Sequence, residues 1–389
     1  LTCPFTLIVL FLDRIVNVSN DLLFDVRILW TFIFLNFLVT IVGSVFGVVY
    51  FAKNRLDLES MNEIKANLLR MCLLLLFYII FRPSVMYIGM TSLICTLFLL
   101  YKNYRYSQKL LGQLKIRREY FDVHYVREVL SSGIWNSFTR LGSVLSNGLD
   151  LLITNLLISA QAMGLVSVAK TLPTKILSVF AIFSGIFAPD LTKSFAQDDM
   201  GKMKEQLIFA IKFLGMVSSI PLVFLYVYGD VFYSLWMPSL DPALMQRLSV
   251  CASAAFAVNL PLEPLWNVFT AANKVKVSSI YLFVNSILTV IVVFLFLQLT
   301  ENDLIRMYII ICVSVGFSII RGFFFLPLYG AYCMKIGYGS FYPVIFKNLF
   351  AIGAGTLAFR LAKLAYTPRS WGGLFVTVCF MSVCLLAMN

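Results

Sequence analysis

Stretches of about 20 apolar residues, interrupted by short polar or charged segments, recur along the whole chain. A helix crossing the hydrocarbon core of a bilayer needs roughly that many. The pattern therefore predicts spanning helices near 28–50, 68–81, 84–101, 129–158, 162–188 and 206–229. Further spans follow near 245–270, 277–298, 305–328, 342–364 and 371–388, and residues 2–12 read as the second half of another. Segment 68–101 reads as one tilted helix or two short ones. Arg82-Pro83 at its centre favours two, because proline cannot continue a helical ladder and disfavours helix before it.

Polar positions inside these spans carry the information about function. In 129–158, Asn136, Arg140, Ser143, Asn147, Asp150 and Thr154 follow one another at spacings of 4, 3, 4, 3 and 4, which places all six on one helical face. Such a stripe cannot face lipid, where a central Arg or Asp costs about 2.5–3.5 kcal/mol on the mildest scale. A polar helix–helix interface is the competing reading. Arg140 and Asp150 are separated by ten helical rises of about 1.5 Å each and cannot pair with one another. They fit a water-filled cavity better. Reflection through the outer turn near Gln161 sets Asp150 level with Lys170 on the next span, and the two are expected to be close. Arg140 and Lys175 then remain as deep cations without an acid, which marks a site for an anion. Thr171, Thr174 and Ser178 extend the polar face of that second helix, and Pro173 is expected to kink it. A second stripe, Asn259, Glu263, Asn267 and Thr270, runs along 245–270, where Pro261 and Pro264 predict a broken helix. Broken helices at mid-depth recur at transporter substrate sites, with a proline-kinked packing helix as the alternative.

Composition closes off other classes. Hydrophobic residues make up 60% of the 389 and charged residues 13%, with mean hydropathy +0.89, against about 25% charged in soluble domains. A soluble enzyme, a disulfide scaffold and a nucleic-acid-binding domain are excluded. The reading is an all-α polytopic membrane protein. The net charge of +12 is largely topology. With two spans in 68–101, the loops at 51–70, 102–128, 189–205, 271–276 and 329–341 share one side and hold 17 Lys and Arg, against 8 opposite. By the positive-inside bias that side is cytoplasmic. Of the basic residues left within spans, Lys212, Lys347 and Arg321 are expected to snorkel to the cytoplasmic end. The eight cysteines are scattered without CxxC spacing and read as small hydrophobes. The single histidine, His124, lies in a basic loop, so no metal site or His-dependent triad is expected within the membrane.

The run GIWNSFTRLGSVLSNGLDLLITNLLISAQAMGLVSVAKTLP, the following FAPDLTKSFAQDD that ends at Asp199, and SLWMPS at 234–239 resemble the bacterial lipid-linked oligosaccharide flippases. These are the O-antigen, capsule and exopolysaccharide exporters of the multidrug/oligosaccharidyl-lipid/polysaccharide superfamily. The resemblance covers nearly all of 28–388. It implies two helical lobes around a central cavity that opens alternately to each side, plus two extra helices. On that frame 1–128 is a partial N-lobe, 129–328 a C-lobe of six helices and 329–389 the additional pair. The short first lobe implies an N-terminal truncation of about 70 residues, since repeats of this kind have similar length. A lobe lacking two helices is expected not to seal between strokes.

The implied activity is flipping of an undecaprenyl-diphosphate-linked oligosaccharide in the bacterial plasma (inner) membrane, without covalent chemistry. Arg140, Lys175 and Lys170 would attract the diphosphate or acidic sugars. Asn136, Asn147, Thr174, Asn259 and Asn267 would hydrogen-bond sugar hydroxyls. Asp150 and Glu263 would hold a coupling H+ or Na+, or form ion pairs. Membrane lipids and the polysaccharide polymerase and chain-length machinery are the implied partners, with no nucleic acid and no bound cofactor. The alternatives are a same-fold exporter of drugs or a peptidoglycan precursor, and a membrane polymerase or acyltransferase. The short outer loops argue against the enzyme.

Overall fold

A computed structural model describes residues 22–53, 55–111 and 122–388, without side chains at a few helical positions. The apolar stub at 2–12 and the centre of the basic loop, 112–121, lie outside the described residues. All regular structure among the described residues is helical, as a bilayer demands: a helix satisfies every backbone N–H and C=O within one segment. The chain divides into two compact units at Tyr125/Val126, near the start of a long helix.

In the first unit, α1 (Leu23–Ala52), α2 (Leu56–Ile80) and α3 (Met86–Leu111) form a three-helix group. The turn at 81–85 confirms two helices in place of one tilted span, with Arg82-Pro83 at the break. The expected loop at 51–70 is instead mostly helix, because α2 begins at Leu56 with Asp57 and Glu59 in its first turn, where the helix dipole favours acids. Gly89 lets α3 approach α1: a Cβ there would lie 3.2 Å from the Leu29 carbonyl oxygen. Near one end, buried Tyr50 receives a bond from Asn62 and donates to Asn103, both at 3.1 Å, and so ties all three helices.

The second unit is built on α7 (Met200–Trp236), about half of which is buried. Before it come α4 (Val123–Leu157), α5 (Ala160–Ile186) and the short α6 (Ala188–Ala196). The stripe 245–270 is broken into α8 (Pro242–Ser253), α9 (Phe256–Leu262) and α10 (Pro264–Ala271), with a 45° bend between the first two. Then follow α11 (Val275–Leu297), α12 (Asp303–Ile320), a π-helical turn Arg321–Phe325, α13 (Leu326–Met334), α14 (Tyr342–Ala365) and α15 (Trp371–Met388). Helix starts are marked by side-chain caps: Ser159, Asp199, Asp241 and Asn302 each accept from an N–H of the first turn. Helices α14 and α15 pack on α7, with Gly355 of α14 against Leu385 of α15.

Among the described residues, six stretches are long and apolar enough to cross a membrane: α1, α5 with α6, α7, α11, α12 through α13, and α14. The bent pair α8–α9 makes a seventh. The protein is a multi-pass membrane protein. Helices α2, α3, α4 and α15 fall outside that set; α15, expected as a span at 371–388, is apolar but short. The apolar parts of α2 and α3 are short, and α4 carries the polar stripe.

Candidate functional site

The expected proximity of Asp150 and Lys170 is present as a three-helix knot. Asp150 is buried on α4, and its Oδ2 accepts from Lys170 Nζ on α5 at 2.6 Å. Its Oδ1 accepts from Ser314 Oγ on α12 at 3.0 Å. Both carboxylate oxygens therefore hold donors, as a buried charge requires. Ser314 had no signal in the sequence, since a lone serine in an apolar helix is common.

One face of α4 packs on α11. Thr139 and Ser279 share a hydrogen bond of 2.6 Å, and Ser286 donates to the Gly142 carbonyl at 2.9 Å. A Cβ on Gly142 would sit 3.2 Å from the α11 backbone. At 3.6 residues per turn, the Arg140–Ser143–Asn147 stripe lies about a quarter turn from this packed face. Arg140 is accordingly exposed. Asn136 and Asn147 are on α4, but their side chains lie outside the described residues.

On α5 the buried face carries Val166, Ala169, Ile176 and Phe180 against α7 and α8. Lys175 points away from it and is exposed, as are Thr174 and Ser178. The Thr174 hydroxyl donates to the Lys170 carbonyl at 2.6 Å and keeps its oxygen free to accept. Among the described residues, neither Arg140 nor Lys175 has an ion-pair partner. Measured along antiparallel axes from the Asp150–Lys170 level, Lys175 lies about 7.5 Å and Arg140 about 15 Å toward the same end. Lys170, Lys175 and Arg140 thus form a ladder of cations with steps of about 7.5 Å.

The asparagines of the broken helix are engaged in helix contacts and do not stand free. Asn259 Nδ2 donates to Ser318 Oγ at 2.8 Å and to its carbonyl at 3.2 Å. Asn267 Nδ2 donates to Ser184, to the carbonyl at 2.9 Å and to Oγ at 3.2 Å. Glu263 sits at the α9–α10 junction, half-buried, without an ion-pair contact among the described residues. The charge that acts on it is Arg321. Arg321 does not snorkel as expected. The helix runs on through the π turn to Met334, which leaves Arg321 well inside, with Nη2 donating to Ser318 Oγ at 3.0 Å and Nε buried without a partner. Asn259 Oδ1 is likewise buried and unpartnered. Arg321, Ser318 and Ser184 are the members of this cluster that the stripe did not reveal.

No family model matches the chain, and no solved structure matches it. Over 378 residues it is 25% identical to a protein of Bacillus subtilis (strain 168) described as an uncharacterized membrane protein, EpsK. The match covers 96% of this chain and 73% of that protein.

Proposed function

We propose that the protein moves an undecaprenyl-diphosphate-linked oligosaccharide across the bacterial plasma membrane by alternating access, without making or breaking a covalent bond. The observation that carries this reading is the pair Arg140 and Lys175: exposed cations near the middle of long helices, with no acidic partner among the described residues. A cation facing lipid at that depth is expensive, so water and an anionic cargo are the environment that makes both tolerable. A diphosphate entering from the cytoplasmic end would meet Arg140, then Lys175, then the level of Lys170. Away from bulk water each step would be worth more than the same contact in solution. Thr174 and Ser178 beside Lys175 offer acceptors for sugar hydroxyls, while the polyprenyl tail stays in the bilayer.

Asp150 would position Lys170, because both of its oxygens already hold donors. A coupling H+ or Na+ would act at Glu263, which has no ion-pair contact among the described residues. A polymerase and chain-length machinery are the protein partners this reading implies.

The reading is tested by purified protein in vesicles loaded with the lipid-linked oligosaccharide. Glycan should become accessible to an external glycosidase or lectin at a protein-dependent rate, with its mass unchanged. Glycan that is lengthened or acylated, or accessibility that never exceeds empty vesicles, would end the proposal.

A further inference from the structure

Helices α7 and α14 run parallel and in register. Gly215 faces Asn348 at one level, and Asp230 pairs with Lys363 at 2.6 Å at another, both at an offset of 133 residues. By the same offset, Lys212 of α7 and Lys347 of α14 stand within about two residues, or about 3 Å, of one depth. Both are exposed, and both line one cavity of about 280 Å³. They lie toward the helix ends that the charge count places at the cytoplasm. None of the described residues that line the cavity is acidic, and Phe209, Phe213, Met216 and Val344 supply apolar walls.

Asn348 closes it and is 4% exposed. Its Nδ2 donates to the Ala257 carbonyl at 2.8 Å, and its Oδ1 is buried without a partner. Turning the amide over would set oxygen against oxygen at Ala257, so the unsatisfied atom is fixed as an acceptor. Gly215, having no side chain, lets Oδ1 sit at the wall of the cavity: a Cβ there would lie 3.3 Å from it. The cavity thus offers two cations for an anion, a buried acceptor for a hydroxyl and an apolar wall for acyl carbon. A free anion would use only the first of these, and an uncharged lipid only the last.

We propose that this cavity binds one anionic membrane phospholipid with a hydroxylated headgroup, of the phosphatidylglycerol type. The phosphodiester lies between the Lys212 and Lys347 ammonium groups, a headgroup hydroxyl donates to Asn348 Oδ1, and the first acyl carbons run along Phe209 and Phe213. Basic pockets between spanning helices on the cytoplasmic side have the chemistry for such headgroups. None of these residues belongs to the cargo path above, so the site stands or falls independently of it.

The test is titration of the delipidated protein in detergent with phosphatidylglycerol, read by native mass spectrometry. One phosphatidylglycerol should bind in clear preference to phosphatidylcholine. Lys212→Ala/Lys347→Ala should bind it about thirty-fold more weakly, from about fivefold per basic residue near an anionic group. Lys212→Arg/Lys347→Arg should retain it. Phosphatidylmethanol, equally charged but without a hydroxyl, should bind several-fold more weakly, and excess inorganic phosphate should leave the lipid in place. The proposal is overturned if phosphatidylcholine binds equally well, if the alanine pair retains phosphatidylglycerol, if phosphatidylmethanol matches it, or if inorganic phosphate displaces it.

Discussion

Removing Lys170 is the sharpest perturbation of the second unit. The Asp150 side chain is 7% exposed, and its Oδ2 loses a donor at 2.6 Å, which leaves only Ser314 on Oδ1. Breaking a buried pair by deleting one partner costs about 3–5 kcal/mol, because the other charge is left buried. Lys170 is itself 20% exposed, and the water it admits sets the value at the lower end, about 3 kcal/mol. At about 2–4 °C per kcal/mol for a domain of this size, Lys170→Ala should melt about 6–12 °C below the parent in detergent. Asp150→Leu/Lys170→Met removes both charges and should stay within about 1–2 kcal/mol of it. A double-mutant cycle should therefore give a coupling above about 2 kcal/mol. If Lys170→Ala melts with the parent, or the coupling falls below about 0.5 kcal/mol, the carboxylate is solvated and the knot does not hold α4, α5 and α12 together.

Three further outcomes follow from the packing. Gly142→Val forces α4 off the α11 backbone and disturbs the Ser286 bond to its carbonyl; a loss of about 1–3 kcal/mol is expected in thermal melts. Gly322→Ala places a methyl on Asn259 Oδ1 and turns the amide away from Ser318. It should cost about the same, with partial recovery in Gly322→Ala/Asn259→Ala. At the start of α2, the hydrogen bond from Arg55 holds the Asp57 carboxyl below its ordinary range. That contact contributes above the unfolded carboxyl value and is lost only as pH falls through the lowered one. Amide exchange in the first turn of α2 should rise there in the parent and at higher pH in Arg55→Ala.

Most of the spans and the Asp150–Lys170 level were legible in the sequence because a membrane leaves few choices. Backbone groups must be satisfied within a helix, and the rise per residue then converts position into depth. Hydroxyl partners were not legible. Ser314, Ser318 and Ser184 look like any small residue in an apolar helix, and only the packing of non-adjacent helices selects them. Arg321 was misplaced because the apolar pattern fades near 328 while the backbone continues to Met334. The stretch 51–70 was misplaced for a related reason: polarity separates water from lipid, not loop from helix, and α2 starts in its charged part. Asn259 and Asn267 show the same limit from the other side. Periodicity puts them on one face, but whether that face meets water or another helix is decided by the 45° break and by what packs across it.

The proposed path for an anionic cargo runs past Arg140 and Lys175. Its most direct measurement is translocation of an undecaprenyl-diphosphate-linked oligosaccharide in vesicles containing the parent, Arg140→Ala or Lys175→Ala, at equal protein incorporation. Both side chains are exposed and have no ion-pair partner among the described residues, so both variants should fold and melt within about 0.5 kcal/mol of the parent. Each variant should lose most of the protein-dependent rate, and added salt should slow the parent more than either variant. Parent-like translocation in both variants would contradict the proposed path.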